Sequence, residues 1–472
     1  MRYFPALLLT AYAAFGQSPY PDASRLIPDL MKRANVPGLS MAVIENGKIA
    51  KIGSYGVKNA DTSAKVDDRT VFQAASLSKV VFAYSVLKLV DEGKLDLDTP
   101  LSKYLPNYVD DPRVNAITAR FVLTHRTGFP NWRPDDRSLE IRFTPGERFS
   151  YSGEGFVYLQ RAVAKITGVP LEDWMRKTVF DPLGMNDSSY TWQDKFERMA
   201  SNGHRPVGRP DPFMKPTADG NPVNGPGASA ASSLLTTAHD YATFLIALMS
   251  GNGLKPETAR AMLSPQTKVD ASCANCTGKP VTEPSKTINW GLGVGLQKID
   301  GQEYFWHWGD NGDFKAFFSA STDSRRGVVV FTNSANGMMI IPDIAAQVLG
   351  EPQPAFAWVH YERWDSPRMQ LYQAILDNGI DEALKNNWSE LDEGDLNMLG
   401  YSLIGAKKYR EAIRIFELNA TAHPKSGNAF DSLGEAYMIA GKALAIENYK
   451  KSLALDPDNS NASEMIKKLE AK

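Results

Sequence analysis

Apolar and polar residues alternate from residue 39 to residue 57 on either side of Asn46-Gly47. That dipeptide suits the two positive-φ positions of a tight turn, so the stretch predicts a β-hairpin. The period then lengthens: Val80, Val81, Tyr84, Leu87, Leu89 and Val90 fall at helical spacing between Lys79 and Glu92, and Gly93 closes the run. Phe156 to Ile166 gives another apolar helix, while Phe314 to Ala320 and Gly327 to Thr332 are short apolar runs of strand character. Residues 77–250 read as mostly helical with long loops, and the strand signals lie at 39–57 and 288–332. A sheet assembled from distant parts of the chain, with helices inserted between them, predicts an α/β (α+β) domain in which an antiparallel sheet packs beside a helical region.

The character changes after residue 345. Glu351-Pro352-Gln353-Pro354 marks a linker over 348–366, and residues 367–472 are helical with a repeat. Leu399-Gly400 and Leu433-Gly434 lie 34 residues apart, Leu403 matches Tyr437, and Pro424 precedes Pro457 by 33 residues. This period resembles tetratricopeptide helix pairs, with Leu371 to Asn386 as an earlier, degenerate pair. Such pairs present a concave surface to a protein partner or cap the neighbouring domain.

At the other end, Arg2, the apolar stretch Leu7 to Phe15 and Ala14-Phe15-Gly16 before Gln17 have the order of a signal peptide over residues 1–17. The expectation is export to the periplasm or the cell exterior, with no membrane span, because no other apolar run approaches the length of a membrane helix. A chain of 472 residues, 43% of them hydrophobic, has enough material for a large core over 22–347 and for a second domain. Its formal net charge of −2 supplies no basic stripe for nucleic acid.

Three clusters carry the candidate chemistry. Ser76-Leu77-Ser78-Lys79 opens the first helix and places a serine and a lysine on one face, where the amine can help ionise the hydroxyl. Ser85-Val86-Leu87-Lys88 repeats the spacing in mid-helix, where a serine more often bonds a backbone carbonyl. The second cluster, Ser150-Tyr151-Ser152-Gly153, sits on a loop before the Phe156 helix. Lys79 beside Tyr151 would favour the phenolate and lower its pKa; an ordinary packed loop tyrosine is the other reading. The third cluster is His307-Trp308-Gly309-Asp310, where a glycine strand lets a substrate approach the backbone. Backbone N–H groups near Gly309 and Asp310, with that of Ser76, would form an oxyanion hole. His307 is either part of this site or a satisfied histidine between two tryptophans.

The order of these clusters resembles the serine β-lactamase-like superfamily, in particular its class C β-lactamase, D-alanyl-D-alanine peptidase and family VIII esterase branch. Val36-Pro37-Gly38-Leu39-Ser40, Leu123 to Gly128, Pro182-Leu183-Gly184-Met185 and Gly225 to Leu235 followed by Thr237 to Asp240 also match that branch, over about residues 25–345. The resemblance implies a β-lactamase/transpeptidase-like fold, with Ser76 as acylated nucleophile, Lys79 as its helper and Tyr151 as general base. It places His307, Trp308 and Gly309 in the third motif. Two positions depart from the pattern. Gly153 stands where the second motif commonly ends in asparagine, and His307 where β-lactamases usually carry a lysine. Both favour an esterase or peptidase over an efficient β-lactamase.

Glu154, Asp310 and Asp313 suggest an acidic rim that would draw substrates with a free amino group. No G-x-S-x-G elbow, H-E-x-x-H zinc motif or phosphate loop is present, so neither metal nor cofactor is expected. His125 lacks a metal-ligand partner at fixed spacing and reads as structural. Cys273 and Cys276 read as a local disulfide or as free thiols. Two functions follow: an exported serine hydrolase acting on small esters, amides or peptides, or a silent scaffold of the same fold whose repeats bind a protein.

Overall fold

The computed structural model describes residues 20–133, 139–205, 227–269, 286–386, 388–440 and 442–470. The 1–17 segment, most of the 200–228 loop and both cysteines lie outside them.

Strands β1 (Gly38–Glu45) and β2 (Lys48–Asn59) form the predicted hairpin, with Asn46 at φ 54° and Gly47 at φ 70°. Strand β3 (Ala64–Lys65) flanks β2, and β4 (Phe72–Gln73) makes a small separate pair with β5 (Leu235–Thr236). The later strands are β6 (Thr267–Lys268), β7 (Ile288–Trp290), β8 (Gly295–Ile299), β9 (Gln302–Asp310), β10 (Lys315–Ser321) and β11 (Arg326–Thr332). Among the described residues the main sheet runs β3-β2-β1-β11-β10-β9-β8-β7-β6 and is antiparallel throughout. The register Met41↔Val330 joins the two ends of the domain, as the sequence suggested.

The central strands are buried on both faces, which explains why β10 and β11 read as unbroken apolar runs. Ala42, Ile44, Phe318 and Phe331 pack in the core shared with the Ser78–Asp91 and Ala238–Ser250 helices. Met41, Val43, Phe317 and Val330 pack with the Tyr20–Arg33 and Ile341–Leu349 helices.

Residues 348–366, read as a linker from their prolines, are packed against this second face. Gln353 is buried and its side chain meets Gln297 at 2.7 Å and Ser319 at 2.8 Å. Trp358, fully buried on the short Pro354–Val359 helix, lies 5.8 to 6.3 Å in ring-centre distance from Phe149, Trp290, Trp306 and Trp308. The apolar run Ala355 to Val359 supplies this packing, and the flanking prolines masked it in the sequence.

The chain beyond is helical. A Cβ on Gly400 would come within 2.4 Å of the Phe416 ring, and one on Gly434 within 3.0 Å of the Tyr449 ring, so the same close helix contact recurs 34 residues on. Leu371, Leu399, Phe416 and Ala436 belong to the apolar cluster that contains Val330, and Gln373 donates to the Arg33 carbonyl at 2.8 Å.

Candidate active site

Ser76 lies in a 3₁₀ turn, Ala75–Leu77, that leads into the Ser78–Asp91 helix. From Thr70 to Leu87 every residue is buried except Ser76. Ala75 is held at φ 49°, a left-handed conformation that costs a non-glycine residue about 1 kcal/mol and is characteristic of functional turns. The decoy Ser85 is different: it is fully buried, donates to the Phe82 carbonyl at 2.7 Å and accepts from Trp174 Nε1 at 3.1 Å.

Lys79 Nζ lies 3.0 Å from Ser76 Oγ and donates to the Ala231 carbonyl at 2.7 Å. No carboxylate pairs with it among the described residues, and complete burial lowers its pKa to about 7. Near neutrality a large share of Lys79 is the free amine, able to take a proton from Ser76.

Tyr151 is 3% exposed and its ring centre is 5.0 Å from Lys79 Nζ. The expected lowering of its pKa does not occur. Burial pushes the phenol well above its ordinary value, with only a partial offset from the Ser76 hydroxyl.

His125 holds the tyrosine loop from beneath. Its carbonyl accepts from Ser150 N–H at 2.8 Å, its Nδ1 accepts from Ser152 N–H at 3.1 Å, and its ring lies 4.2 Å from that of Tyr151. The neutral ring therefore carries its proton on Nε2. His307 has the opposite tautomer, since its Nδ1 donates to the Trp308 carbonyl at 2.6 Å. Among the described residues, His125 Nε2, Tyr151 Oη and His307 Nε2 are all buried without a hydrogen-bond partner, a concentration of unpaired polar atoms that points to a working site.

Burial and the nearby Lys79 pull the His307 pKa down to about 3 and that of His125 well below 6.5. The unfolded chain protonates histidine near pH 6.5, so between that value and 3 it binds more protons than the native state does, and stability falls as pH drops through the window. Thermal denaturation should give a Tm that declines from pH 6.5 toward 3, and His307→Gln should flatten the decline; parallel curves would contradict this account.

The third cluster approaches Ser76 along an open strand edge. Pairing of β9 with β8 ends at Gly295↔Trp306, while pairing with β10 continues to Asp310, so His307 to Asp310 are paired on one side only. A Cβ on Gly309 would sit 2.6 Å from the Ala74 carbonyl, so only glycine lets this strand lie against the serine turn. The structure thus brings Ser76, Lys79, Tyr151, His307 and Gly309 into one place.

Gly153 and its surroundings carry a feature the sequence did not reveal. Its N–H donates to the Asn131 side chain and to the Asn131 carbonyl, each at 3.0 Å, and the Trp132 ring lies where a Cβ would be, at 2.9 Å. Trp132 is 47% exposed and its ring centre is 5.8 Å from Lys79 Nζ, an apolar plate at the mouth of the site. Trp132 has no motif of its own, and although Ala231 falls in the Gly225 to Leu235 stretch, nothing in the sequence marks its carbonyl as the acceptor for Lys79.

The expected acidic rim is cancelled at two of its three residues. Glu154 pairs with Arg133 at 2.9 Å, and Asp310 accepts from Lys315, from Gly312 N–H at 2.8 Å and from the Tyr361 hydroxyl at 2.7 Å.

Residues 23–349 match the protein family described as Beta-lactamase. Penicillin-binding protein 4 of Amycolatopsis lactamdurans is 27% identical, covering 67% of this chain and 86% of that protein. A lovastatin esterase of Penicillium rubens is 28% identical, with 50% and 72% covered, and a beta-lactamase of Providencia stuartii is 28% identical, with 43% and 56% covered. Among solved structures, the octameric penicillin-binding protein homologue from Pyrococcus abyssi aligns with a TM-score of 0.59 at 23% identity, covering 75% of this chain and 82% of that one. The D-alanine carboxypeptidase AmpC from Burkholderia cenocepacia aligns at 0.57 and 19% identity, covering 70% and 98%. These structures establish the fold. Residues 23–349 are more than half of the sequence, and on that match the chain belongs to the beta-lactamase family, with an all-helical region following.

Proposed function

We propose that this protein is an exported serine hydrolase that cleaves small neutral esters through an acyl-Ser76 intermediate. The observation that carries the reading is the buried, uncharged-leaning Lys79 amine 3.0 Å from the half-buried Ser76 hydroxyl. Lys79 takes the proton as Oγ attacks the ester carbonyl. Backbone N–H groups of Ser76 and of the Gly309–Asp310 edge stabilise the oxyanion. Tyr151, protonated at neutral pH, gives its proton to the departing alkoxide and recovers one from Lys79. Water then repeats the sequence against the acyl-enzyme.

Three features favour neutral, apolar esters. His307, neutral at pH 7, offers no charge to a substrate carboxylate, the Glu154 and Asp310 carboxylates are already paired, and Trp132 lines the mouth. Export rests on the order of residues 2–17. The domain limits 22–347 and 367–472 and the tetratricopeptide-like character of the tail belong to the same proposal. The tail is read as a structural part of the enzyme rather than a recruitment module, because its core is continuous with that of the sheet.

The test is hydrolysis of p-nitrophenyl acetate, an amino-acid p-nitroanilide and a chromogenic cephalosporin, with mass spectrometry of acid-quenched protein. The acetate should be turned over with the highest kcat/KM, and the peptide containing Ser76 should carry an acetyl group. A cephalosporin turned over faster than the ester would overturn the substrate class, and absence of both turnover and acyl adduct would overturn the enzyme reading. The pH profile of kcat/KM should rise with unit slope below about pH 7 and level above it as Lys79 loses its proton. A flat profile from pH 5.5 to 8.5 would remove Lys79 as the base.

A further inference from the structure

Asp310 ends β9, one residue past the glycine that lies against the serine turn. Asn311 N–H donates to the Phe314 carbonyl at 3.1 Å, which closes the turn between β9 and β10. Hydrogen-bonded and non-bonded pairs alternate along an antiparallel ladder, so Gly309 bonds to Ala316 and the Asp310 N–H points away from β10, toward the unpaired edge. With Ser76 as the acylated residue, this N–H is the oxyanion donor of the strand, and whatever fixes Asp310 fixes the donor.

The Asp310 carboxylate is gripped from two directions. Its Oδ1 accepts from Lys315 Nζ and from Gly312 N–H at 2.8 Å, both within the β9–β10 hairpin. Its Oδ2 accepts from the Tyr361 hydroxyl at 2.7 Å, and among the described residues nothing else holds that oxygen. Tyr361 comes from outside the hairpin, twelve residues beyond the end of the family match. Its segment has its own anchor: Arg363 donates to both oxygens of Asp343 at 2.8 and 2.9 Å, and Trp364 Nε1 donates to the same carboxylate at 2.8 Å. Burial keeps the phenol protonated far above the ordinary tyrosine range, so it donates at every working pH.

We propose that Tyr361 is a positioning residue of the active site: its hydroxyl holds the Asp310 carboxylate and thereby aims the Asp310 N–H at the oxyanion that forms when Ser76 attacks. This role rests on the acyl-Ser76 reading and extends the support of the site into the segment that leads to the helical tail. Without the hydroxyl, Asp310 keeps Lys315 and Gly312, so its charge stays paired and the hairpin keeps its register. What is lost is the grip on the second oxygen. A reacting group misplaced by about 1 Å can cost on the order of 10²-fold in rate, so a partial displacement of the donor should cost about tenfold.

Tyr361→Phe in the full chain removes the hydroxyl and keeps the ring. With p-nitrophenyl acetate, kcat should fall about tenfold or more while KM stays within about twofold, and the pH midpoint of kcat/KM should not move, since Lys79 is untouched. Phenylboronic acid, whose tetrahedral adduct with a serine puts an oxygen where the oxyanion forms, should inhibit the variant about tenfold more weakly or worse. Tyr401→Phe is the control, because it also deletes a phenol–carboxylate bond, that to Glu435 at 2.8 Å. It should keep kcat and boronate inhibition within about twofold, with all kinetics read where circular dichroism shows each variant folded. A wild-type kcat or an unchanged boronate affinity in Tyr361→Phe overturns the proposal and leaves acyl-Ser76 standing, as do equal losses in both variants. If the unaltered protein shows neither turnover nor an acyl group on Ser76, both readings fall together.

Discussion

Ser76→Ala should lower kcat for p-nitrophenyl acetate by roughly 10³- to 10⁶-fold, the loss that accompanies removal of an acylated nucleophile. Stability should be nearly unchanged, because Ser76 is the one position between Thr70 and Leu87 that is not buried, and its hydroxyl faces the reacting groups Lys79 and Tyr151 rather than bracing the backbone. Ser85→Ala is the matched control. It leaves the Trp174 indole N–H without its acceptor and should cost about 1–3 kcal/mol of stability, yet folded enzyme should keep kcat within about twofold. Comparable losses of kcat in both variants would sink the assignment of Ser76, since a general disturbance of the helix would then explain the result.

The largest expected effect on stability lies outside the residues matched to the family. Trp358→Ala should destabilise the protein by about 3–5 kcal/mol, the usual range for deleting a fully buried aromatic side chain. The tryptophan touches Trp290, Trp306 and Trp308, so the vacated space would open behind β7 and β9. Met398→Ala in the exposed part of the tail should stay within about 0.5 kcal/mol. Urea denaturation of the two variants decides the point: a Trp358→Ala cost below 1 kcal/mol would mean that residues 354–359 dock without contributing to the core.

The parts of the molecule legible in the sequence are those fixed by local chemistry. The β1–β2 hairpin follows from Asn46-Gly47 and alternation, and the Ser78–Asp91 helix from its spacing and Gly93, which takes φ 69° just past its end. Ser76 and Lys79 meet because three residues along a helical turn bring them together. Tyr151 and Gly309 reach them only through the fold, so a family pattern was needed to connect them. What the sequence hid was environment. The lysine was read as a cation that would activate the phenol, but burial lowers the lysine's pKa to about 7 and raises the tyrosine's. The acidic rim failed for a similar reason: Arg133 is 21 positions from Glu154 and Tyr361 is 51 from Asp310, so their pairing is a tertiary fact. Trp132 escaped notice because an exposed indole beside a glycine has no periodic signature.

The seal formed by Trp358 also bears on how this enzyme can be cut and recombined. Similarity to the family stops at residue 349, but the apolar cluster beneath the third motif continues nine residues further to Trp358 and on into the helices. The limit of inherited sequence and the limit of cooperative folding therefore fall at different places. An expression boundary drawn at the first would strip the cover from Trp290, Trp306 and Trp308, and a chimera that exchanged tails between relatives would have to carry the tryptophan with the catalytic half.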